Sequence, residues 1–295
     1  MISKEGNIGF KKYVGRALIF SIPFLVYFLF IFIIDPHNFF DVSHIINDKD
    51  KYDLINRNDE SSPRGNLLWK VLKIKRDPPK IILIGDSQGK NIKPSIIEEL
   101  TGEKVFNFCV PGASYETMFD MFWFAASQSR LEKVYFPVAF LNYNSYRSYN
   151  LFHFATDYIN RPYLYLMSVD IFRDSWQNFR YQITRDPEII QNSYEFRTVD
   201  EMNQLTKERL DRFFIEYYYP KAYYSELNRI SQYCKENNIA LKFIIFPNYT
   251  GFDEYLKEKN LSDMMLRFKD EINILGDTYD LDVSGDIKNS RECFV

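Results

Sequence analysis

Residues 80–87, Lys80-Ile81-Ile82-Leu83-Ile84-Gly85-Asp86-Ser87, decide how this chain of 295 residues folds. Four consecutive apolar residues, Ile81 to Ile84, are typical of a strand that is buried on both faces, as the strands of parallel sheets are. Gly85, Asp86 and Ser87 belong to the residue types that end strands and begin helices. The stretch therefore predicts a buried strand with a serine at its carboxyl end.

Four more runs with the composition of strands follow along the chain, at residues 105–110, 134–141, 241–247 and 278–282. Helical patterns separate them, over residues 94–100, 114–130 with Ser114 as the N-cap, 221–236 and 253–275. Strands that alternate with helices form parallel sheets with helices on both faces. We therefore predict an α/β fold, a three-layer α/β/α domain with a parallel flavodoxin-like sheet.

Residues 145–219 interrupt this alternation. The segment is about 75 residues long, far longer than an ordinary connection, and it is rich in Tyr, Phe, Asn and Arg. We predict that it is an aromatic-rich helical insertion with its own packing. Phe, Tyr and Trp make up 18% of the chain. Aromatic rings beside a cleft are suited to stacking on sugars or to docking against a membrane partner.

An uncharged apolar segment, Ala17–Ile34, lies near the N-terminus. Its eighteen residues are close to the lower length limit for a helix that crosses a bilayer. Basic residues precede it and acidic residues follow it: Lys4, Lys11, Lys12 and Arg16, then Asp35, Asp41 and Asp48. Because positive charge stays on the cytoplasmic side, we expect the N-terminus to be cytoplasmic.

The domain plan follows from this segment. We predict a cytoplasmic tail over residues 1–16, a transmembrane signal anchor over 17–34, an extracytoplasmic stalk over 35–79 and the α/β domain over 80–295. The protein would then be a single-pass protein of the cell membrane, with its main domain extracytoplasmic. A cleavable signal peptide is the alternative, but it would end in a small-x-small site, which Asp35-Pro36-His37 does not offer.

Composition excludes several other classes of protein. The 37 basic and 40 acidic side chains leave a formal charge of −3, which gives no basic footprint for nucleic acid. Three cysteines form no disulfide framework, and we expect Cys109 and Cys234 to be small buried residues. The sequence contains no P-loop, no dinucleotide fingerprint and no metal-ligand spacing, so we predict neither a cofactor nor a metal.

Polar residues and a glycine follow three of the predicted strands. Asp86 and Ser87 follow the first, Gly112 follows the second, and Asn142 and Asn144 follow the third. The carboxyl ends of parallel strands share one edge of the sheet, where such folds bind ligands. A serine hydroxyl there is a candidate nucleophile, and the glycine N–H and an asparagine amide are candidate donors to an oxyanion. Asp86 could orient the turn or take part in catalysis.

This arrangement resembles the SGNH (GDSL-like) hydrolase superfamily over roughly residues 80–290, without the insertion. The family's blocks are a serine in G-D-S, a glycine, an asparagine and a late D-x-x-H. Ser87 matches the first block, Gly112 the second, and Asn142 or Asn144 the third. The resemblance implies a serine nucleophile with an oxyanion hole. It leaves the choice between the two asparagines open.

The chain departs from the family in its histidines, which are His37, His44 and His153 only. Without a base, a serine hydroxyl is not activated at neutral pH. Either the chain stops before the D-x-x-H block, or it is a non-catalytic relative. His153 in Phe-His-Phe is more typical of an aromatic-packed histidine than of a base, and Asp280 and Asp282 would be triad acids only if a histidine followed.

Two functions are compatible with these patterns. The first is a membrane-anchored extracytoplasmic esterase or O-acyltransferase that acts on acyl esters of a cell-surface glycan or related polymer. The resemblance also implies a membrane-bound O-acyltransferase as a possible partner. The alternative is a non-catalytic glycan-binding or assembly partner of such an enzyme.

Overall fold

The computed structural model describes residues 4–57, 62–190 and 198–283. The helices are α1 (Lys4–Ile34), α2 (Asp48–Arg57), α3 (Ser62–Arg76), α4 (Ser87–Lys90), α5 (Pro94–Thr101), α6 (Tyr115–Gln128), α7 (Phe152–Asn160), α8 (Pro162–Met167), α9 (Val169–Thr184), α10 (Val199–Phe213), α11 (Lys221–Glu236), α12 (Thr250–Glu258) and α13 (Ser262–Leu275). The strands are β1 (Ile81–Leu83), β2 (Val105–Asn107), β3 (Lys133–Val138), β4 (Ala240–Ile245) and β5 (Asp277–Asp280).

The chain divides into two compact units. The anchor unit comprises the described residues within Met1–Trp69 and Thr156–Asn192, and the sheet unit those within Lys70–Ala155 and Ser193–Val295.

The sheet unit contains five parallel strands in the order β2-β1-β3-β4-β5. This is the flavodoxin-like order, so the predicted fold class is confirmed. Right-handed crossovers put the β1–β2 connection with α5 on one face and the later connections on the other. In agreement, α5 packs near β2, while α11 contacts both α6 and α13.

Apolar alternation and capping explain the elements around the sheet. Val134, Phe136 and Val138 of β3 and Phe243 of β4 are almost completely buried. Ser114 is the N-cap of α6, as predicted, because its hydroxyl oxygen accepts the N–H of Thr117 at 3.2 Å. Aromatic rings fill the space beside the strand ends, among them the stacked pair Tyr115 and Tyr223 and the pair Tyr143 and Phe268.

One predicted helix is divided in two. We expected a continuous helix over residues 253–275, whereas α12 ends at Glu258 and α13 begins at Ser262. Asn260 adopts a φ of 56° between them. Asparagine tolerates this left-handed conformation better than most residues, and a helix does not continue through it.

Residues 35–79 do not form the loosely packed stalk that we expected. They contain α2 and α3, and α3 buries apolar side chains at helical spacing, namely Leu67, Leu68, Val71 and Ile74. The polar composition of the segment hides this periodicity because lysines and arginines fill the other positions. The boundary between the units falls within α3, after Trp69.

The anchor unit is built around α1. Among the described residues, Lys12–Ile34 is long and apolar enough to cross a membrane, with a mean hydropathy of 2.8, and most of its side chains are exposed. Asp35 ends the helix with a φ of 43° and is fully buried. Its carboxylate accepts the N–H groups of Phe39, Phe40 and Asp41 at 2.7–2.9 Å and the hydroxyl of Tyr165 at 3.0 Å.

The insertion is helical, as predicted, but it belongs to both units. Its central part, with α8 and α9, lies in the anchor unit, whereas α10 lies in the sheet unit. Thr198 and Glu201 form a capping box at the start of α10.

Candidate functional site

The turn after β1 presents Ser87 to solvent. Asp86 is the N-cap of the one-turn helix α4, and its Oδ1 accepts the N–H of Gln88 at 2.9 Å. Ser87 follows as the first residue of that helix and is exposed. Its hydroxyl has no hydrogen-bond partner within residues 4–57, 62–190 and 198–283. The side chain is therefore open to a ligand but is not paired with a base.

The backbone of this turn lies close to the side chain of Cys109. A Cβ on Gly89 would collide with the Cys109 sulfur atom, and one on Gly85 would lie 3.1 Å from the same atom. The N–H of Val110 donates to the carbonyl of Gly85 at 2.9 Å. The glycines thus let the chain after β2 lie directly against the Ser87 turn.

Asn142 joins the third strand end to the first. It lies in a 3₁₀ turn, Phe140–Asn142, and its Nδ2 donates to Oδ2 of Asp86 at 2.7 Å. The amide has a second N–H that this bond does not use. Asn142 is half-buried.

Asn144 has a different role in the structure. It is completely buried, and its Nδ2 donates to the carbonyls of Phe213 and Glu216 at 3.2 and 2.7 Å. Its Oδ1 accepts the N–H groups of Tyr146 and Tyr218 at 3.1 and 3.0 Å. These four bonds use both donors of the amide and both lone pairs of its oxygen. Asn144 therefore holds the two ends of the insertion together, and its amide has no capacity left for a ligand.

Gly112 lies in the turn after β2. It has a φ of 72° and is exposed, and a Cβ placed on it would meet no atom within 4 Å. Backbone conformation alone thus favours glycine here. The carbonyl of Gly112 accepts the Tyr149 hydroxyl at 2.5 Å, while its N–H has no acceptor among the residues that the structure describes. This N–H is a candidate donor to a ligand oxygen.

Burial raises the pKa of the Asp86 carboxyl. The Gln88 amide, the positive charge of Arg209 and the Asn142 side chain oppose this effect. The carboxyl is 7% exposed, and two donors engage its oxygens. Its geometry is that of a group that orients Ser87 and Asn142.

The sequence analysis did not identify two basic residues near this edge, Arg209 and Lys70. Arg209 of α10 lies close enough to Asp86 to lower its pKa, and its guanidinium lies over the ring of Phe213 at 5.4 Å. The Thr198–Glu201 capping box signals a helix there, but no pattern tells which helical residue lies near the strand ends. Lys70 is buried and donates to the Cys109 carbonyl at 2.6 Å. Burial lowers the pKa of Lys70 to about 8.

The remaining candidates lie elsewhere. His153 is exposed on α7, with its ring 4.0 Å from that of Phe154, and His37 and His44 belong to the anchor unit. Lys269 pairs with Asp280 and Asp282 at 3.0 and 3.1 Å, so both acids already have a cation. Residues 284–295, which contain no histidine, lie outside the described residues.

Comparison with family models, with curated proteins and with solved structures found no match. The class that the fold defines is an α/β protein with a five-stranded parallel sheet and an N-terminal apolar helix of membrane-spanning length.

Proposed function

We propose that this chain is a membrane-anchored extracytoplasmic SGNH-like esterase or O-acyltransferase that acts on acyl esters of a cell-surface glycan or related polymer. The observation that carries the proposal is the hydrogen bond between Asn142 and Asp86, which joins two strand ends beside the exposed Ser87. A parallel sheet of this order binds ligands at that edge.

The residues would act as follows. The Ser87 oxygen attacks the ester carbonyl carbon, and the N–H groups of Ser87 and Gly112 with the second N–H of Asn142 stabilise the oxyanion. The bond from carbon to the alcohol oxygen then breaks, and the alcohol leaves with the proton taken from Ser87. Water or a second hydroxyl takes the acyl group from the serine. A general base moves these protons, and it is the part of the machinery that the described residues around Ser87 do not supply.

The location follows from α1. Its side chains are mostly exposed and apolar, for example Ile19, Phe20 and Leu25, and lipid is the solvent that suits them. The charge distribution around the span supports a cytoplasmic N-terminus and an extracytoplasmic main domain. Phe30 of α1 packs against α9 of the same unit, which supports an uncleaved anchor rather than a removable signal peptide.

The histidines favour a second candidate, a non-catalytic glycan-binding or assembly partner of a membrane-bound O-acyltransferase. Ser87 has no histidine partner among the described residues, although the edge retains its free donors. In this case the same groups would bind an ester or a sugar without transferring the acyl group.

A serine-directed fluorophosphonate separates the two candidates. We expect the full-length chain in detergent micelles to be labelled, and we expect Ser87→Ala to abolish labelling. Ser127→Ala is the matched control because Ser127 is exposed on α6, away from the strand ends. Labelling that persists in Ser87→Ala would refute the nucleophile. If neither the native chain nor the control is labelled, but an acylated glycan still binds and Asn142→Ala weakens that binding, the second candidate is correct.

A further inference from the structure

Two helices of the insertion pack onto the apolar part of α1. The rings of Tyr27 and Phe172 are stacked with their centroids 4.9 Å apart. Phe30 contacts three rings of α9 with centroid distances of 5.6–6.3 Å, those of Phe172, Trp176 and Phe179. These contacts are all within the anchor unit.

The positions of Tyr27 and Phe30 on α1 give the depth of this contact. Tyr27 precedes the end of the helix, Ile34, by seven residues and Phe30 precedes it by four. At about 1.5 Å per residue, they lie about 10 Å and 6 Å below the outer end of the span. One leaflet contributes about 15 Å of hydrocarbon. A helix that packs at these positions therefore lies at the depth of the outer leaflet.

The start of the α8–α9 pair and its end both contact residues that follow the span. On α8, Tyr165 donates to Asp35 at 3.0 Å and stacks on Phe39 at 4.4 Å. At the end of α9, Arg185 pairs with Asp50 of α2 at 3.1 Å. The α8–α9 junction between them is therefore the deepest point of a segment that enters and leaves on the same side.

The polar groups of Ser168, the residue that joins α8 to α9, have partners within the unit, which suits a lipid environment. The carbonyl of Ser168 accepts the N–H of Phe172 at 3.0 Å and the hydroxyl of Tyr27 at 3.2 Å. The N–H of Ser168 donates to the carbonyl of Tyr165 at 3.3 Å, and its hydroxyl oxygen accepts the N–H of Ile171 at 3.3 Å. The tyrosine hydroxyl inside an otherwise apolar span thus has a partner.

The outer surface of the pair suits the same environment. Four large side chains around the junction are more than half exposed: Tyr163, Met167, Val169 and Trp176. Arg173 and Arg180 lie on the same face of α9 as Trp176. Arg173 pairs with Asp170 at 3.6 Å, and Arg180 pairs with Asp186 at 4.0 Å. Tryptophan and arginine are typical of helices that lie in the interface of a bilayer.

From these observations we propose that α8 and α9 form a re-entrant helix pair whose junction is inserted in the outer leaflet, where Met167, Val169 and Trp176 contact lipid. This proposal rests on the proposed membrane insertion of α1. It makes the anchor a small helical bundle, with the apolar surfaces of α1 and of the α8–α9 junction covered by the same lipid.

Trp176 is a natural probe for the test. The full-length chain carrying Trp69→Phe and Trp123→Phe, which retains Trp176 alone, is reconstituted in phosphatidylcholine vesicles that contain lipids brominated on their acyl chains. Two matched chains are measured in parallel. One retains only Trp123, whose ring is covered by Arg229 at 4.4 Å and Tyr233 at 5.1 Å. The other has all three tryptophans replaced by Phe and carries Leu25→Trp on the exposed side of α1.

We expect bromine to quench Trp176 and the Leu25→Trp probe but not Trp123. We also expect bromine near the headgroup to quench Trp176 more strongly than bromine near the chain end. Quenching of the Leu25→Trp probe without quenching of Trp176 would overturn the re-entrant pair and leave the anchor intact. Absence of quenching at Leu25→Trp would overturn the anchor and the pair together. Equal quenching of Trp123 and Trp176 would reveal non-specific adsorption and would also overturn the proposal.

Discussion

Replacing Asn144 with alanine should destabilise the sheet unit far more than the same change at Asn142, two positions earlier. Asn144→Ala removes four hydrogen bonds at a completely buried position and leaves the carbonyls of Phe213 and Glu216 without this donor. Asn142→Ala removes one bond, to Asp86, at a half-buried position.

The magnitudes follow from these bonds. A hydrogen bond contributes about 1 kcal/mol net, and a buried group left without a partner costs as much or more. We therefore expect Asn144→Ala to lower the free energy of unfolding by about 4 kcal/mol, and Asn142→Ala by about 1 kcal/mol. A loss of 4 kcal/mol is a large share of the stability of an ordinary domain.

Guanidinium unfolding of the full-length chain in detergent micelles measures both values. Trp69→Phe and Trp176→Phe in a common background leave Trp123, which lies in the sheet unit, as the only tryptophan. Asn144→Asp is the matched variant because a carboxylate keeps an acceptor for the N–H groups of Tyr146 and Tyr218 but places an oxygen against the carbonyls of Phe213 and Glu216. At this completely buried position it should be at least as destabilising as Asn144→Ala at neutral pH. Equal losses at Asn142 and Asn144 would refute the distinction between them.

Two further predictions concern Lys70 and Gly112. The pKa of Lys70 is about 8 in the folded chain and 10.5 ordinarily. Below pH 8 the folded chain therefore carries the full cost of burying a charged amine, and this cost disappears as the pH rises to 10.5 because the folded lysine loses its proton first. The stability of Lys70→Met relative to the native chain should therefore fall by about 3 kcal/mol between pH 7 and pH 10.5 in denaturant titrations; a pH-independent difference would contradict the buried charge. Gly112→Ala should cost about 1–2 kcal/mol in thermal unfolding because alanine disfavours the left-handed φ. Gly112→Asn should cost less, and an alanine variant as stable as the native chain would show that the turn relaxes.

Much of the fold could be predicted from local patterns. The apolar run before Ser87 is β1, Ser114 caps α6, and the bounds of α11 agree with the sequence prediction. These elements could be predicted because a buried face requires apolar residues at regular spacing, and that spacing is visible in the sequence. The helix break at Asn260 was missed although it is local: Asn260 adopts a left-handed φ, and the N–H of Leu261 donates to the carbonyl of Leu256 at 2.8 Å. The packing of α3 was missed because its lysines and arginines hide the spacing of its apolar residues.

The candidate site, like the fold, could be predicted only in part from the sequence. Residue types and strand ends predict that Asp86, Ser87 and Gly112 lie at one edge of the sheet. They do not separate Asn142 from Asn144, because that distinction depends on a single 3₁₀ turn and on carbonyls contributed by the far end of the insertion. Arg209 and Lys70 are invisible to motif reasoning because one belongs to the insertion and the other precedes β1.

The buried carboxylate of Asp35 has a consequence for any exchange of α1. It fixes the exit of α1 by binding three successive backbone N–H groups and the Tyr165 hydroxyl, so the helix and the chain after it turn as one body. A foreign apolar helix in place of α1 would leave Asp35 in the chain but would remove Tyr27 and Phe30, which pack against rings of α9. The Asp35 cap would then hold a helix that no longer fits its neighbour, so chimeras that exchange α1 should lose the packing of α9 even when length and hydropathy are matched.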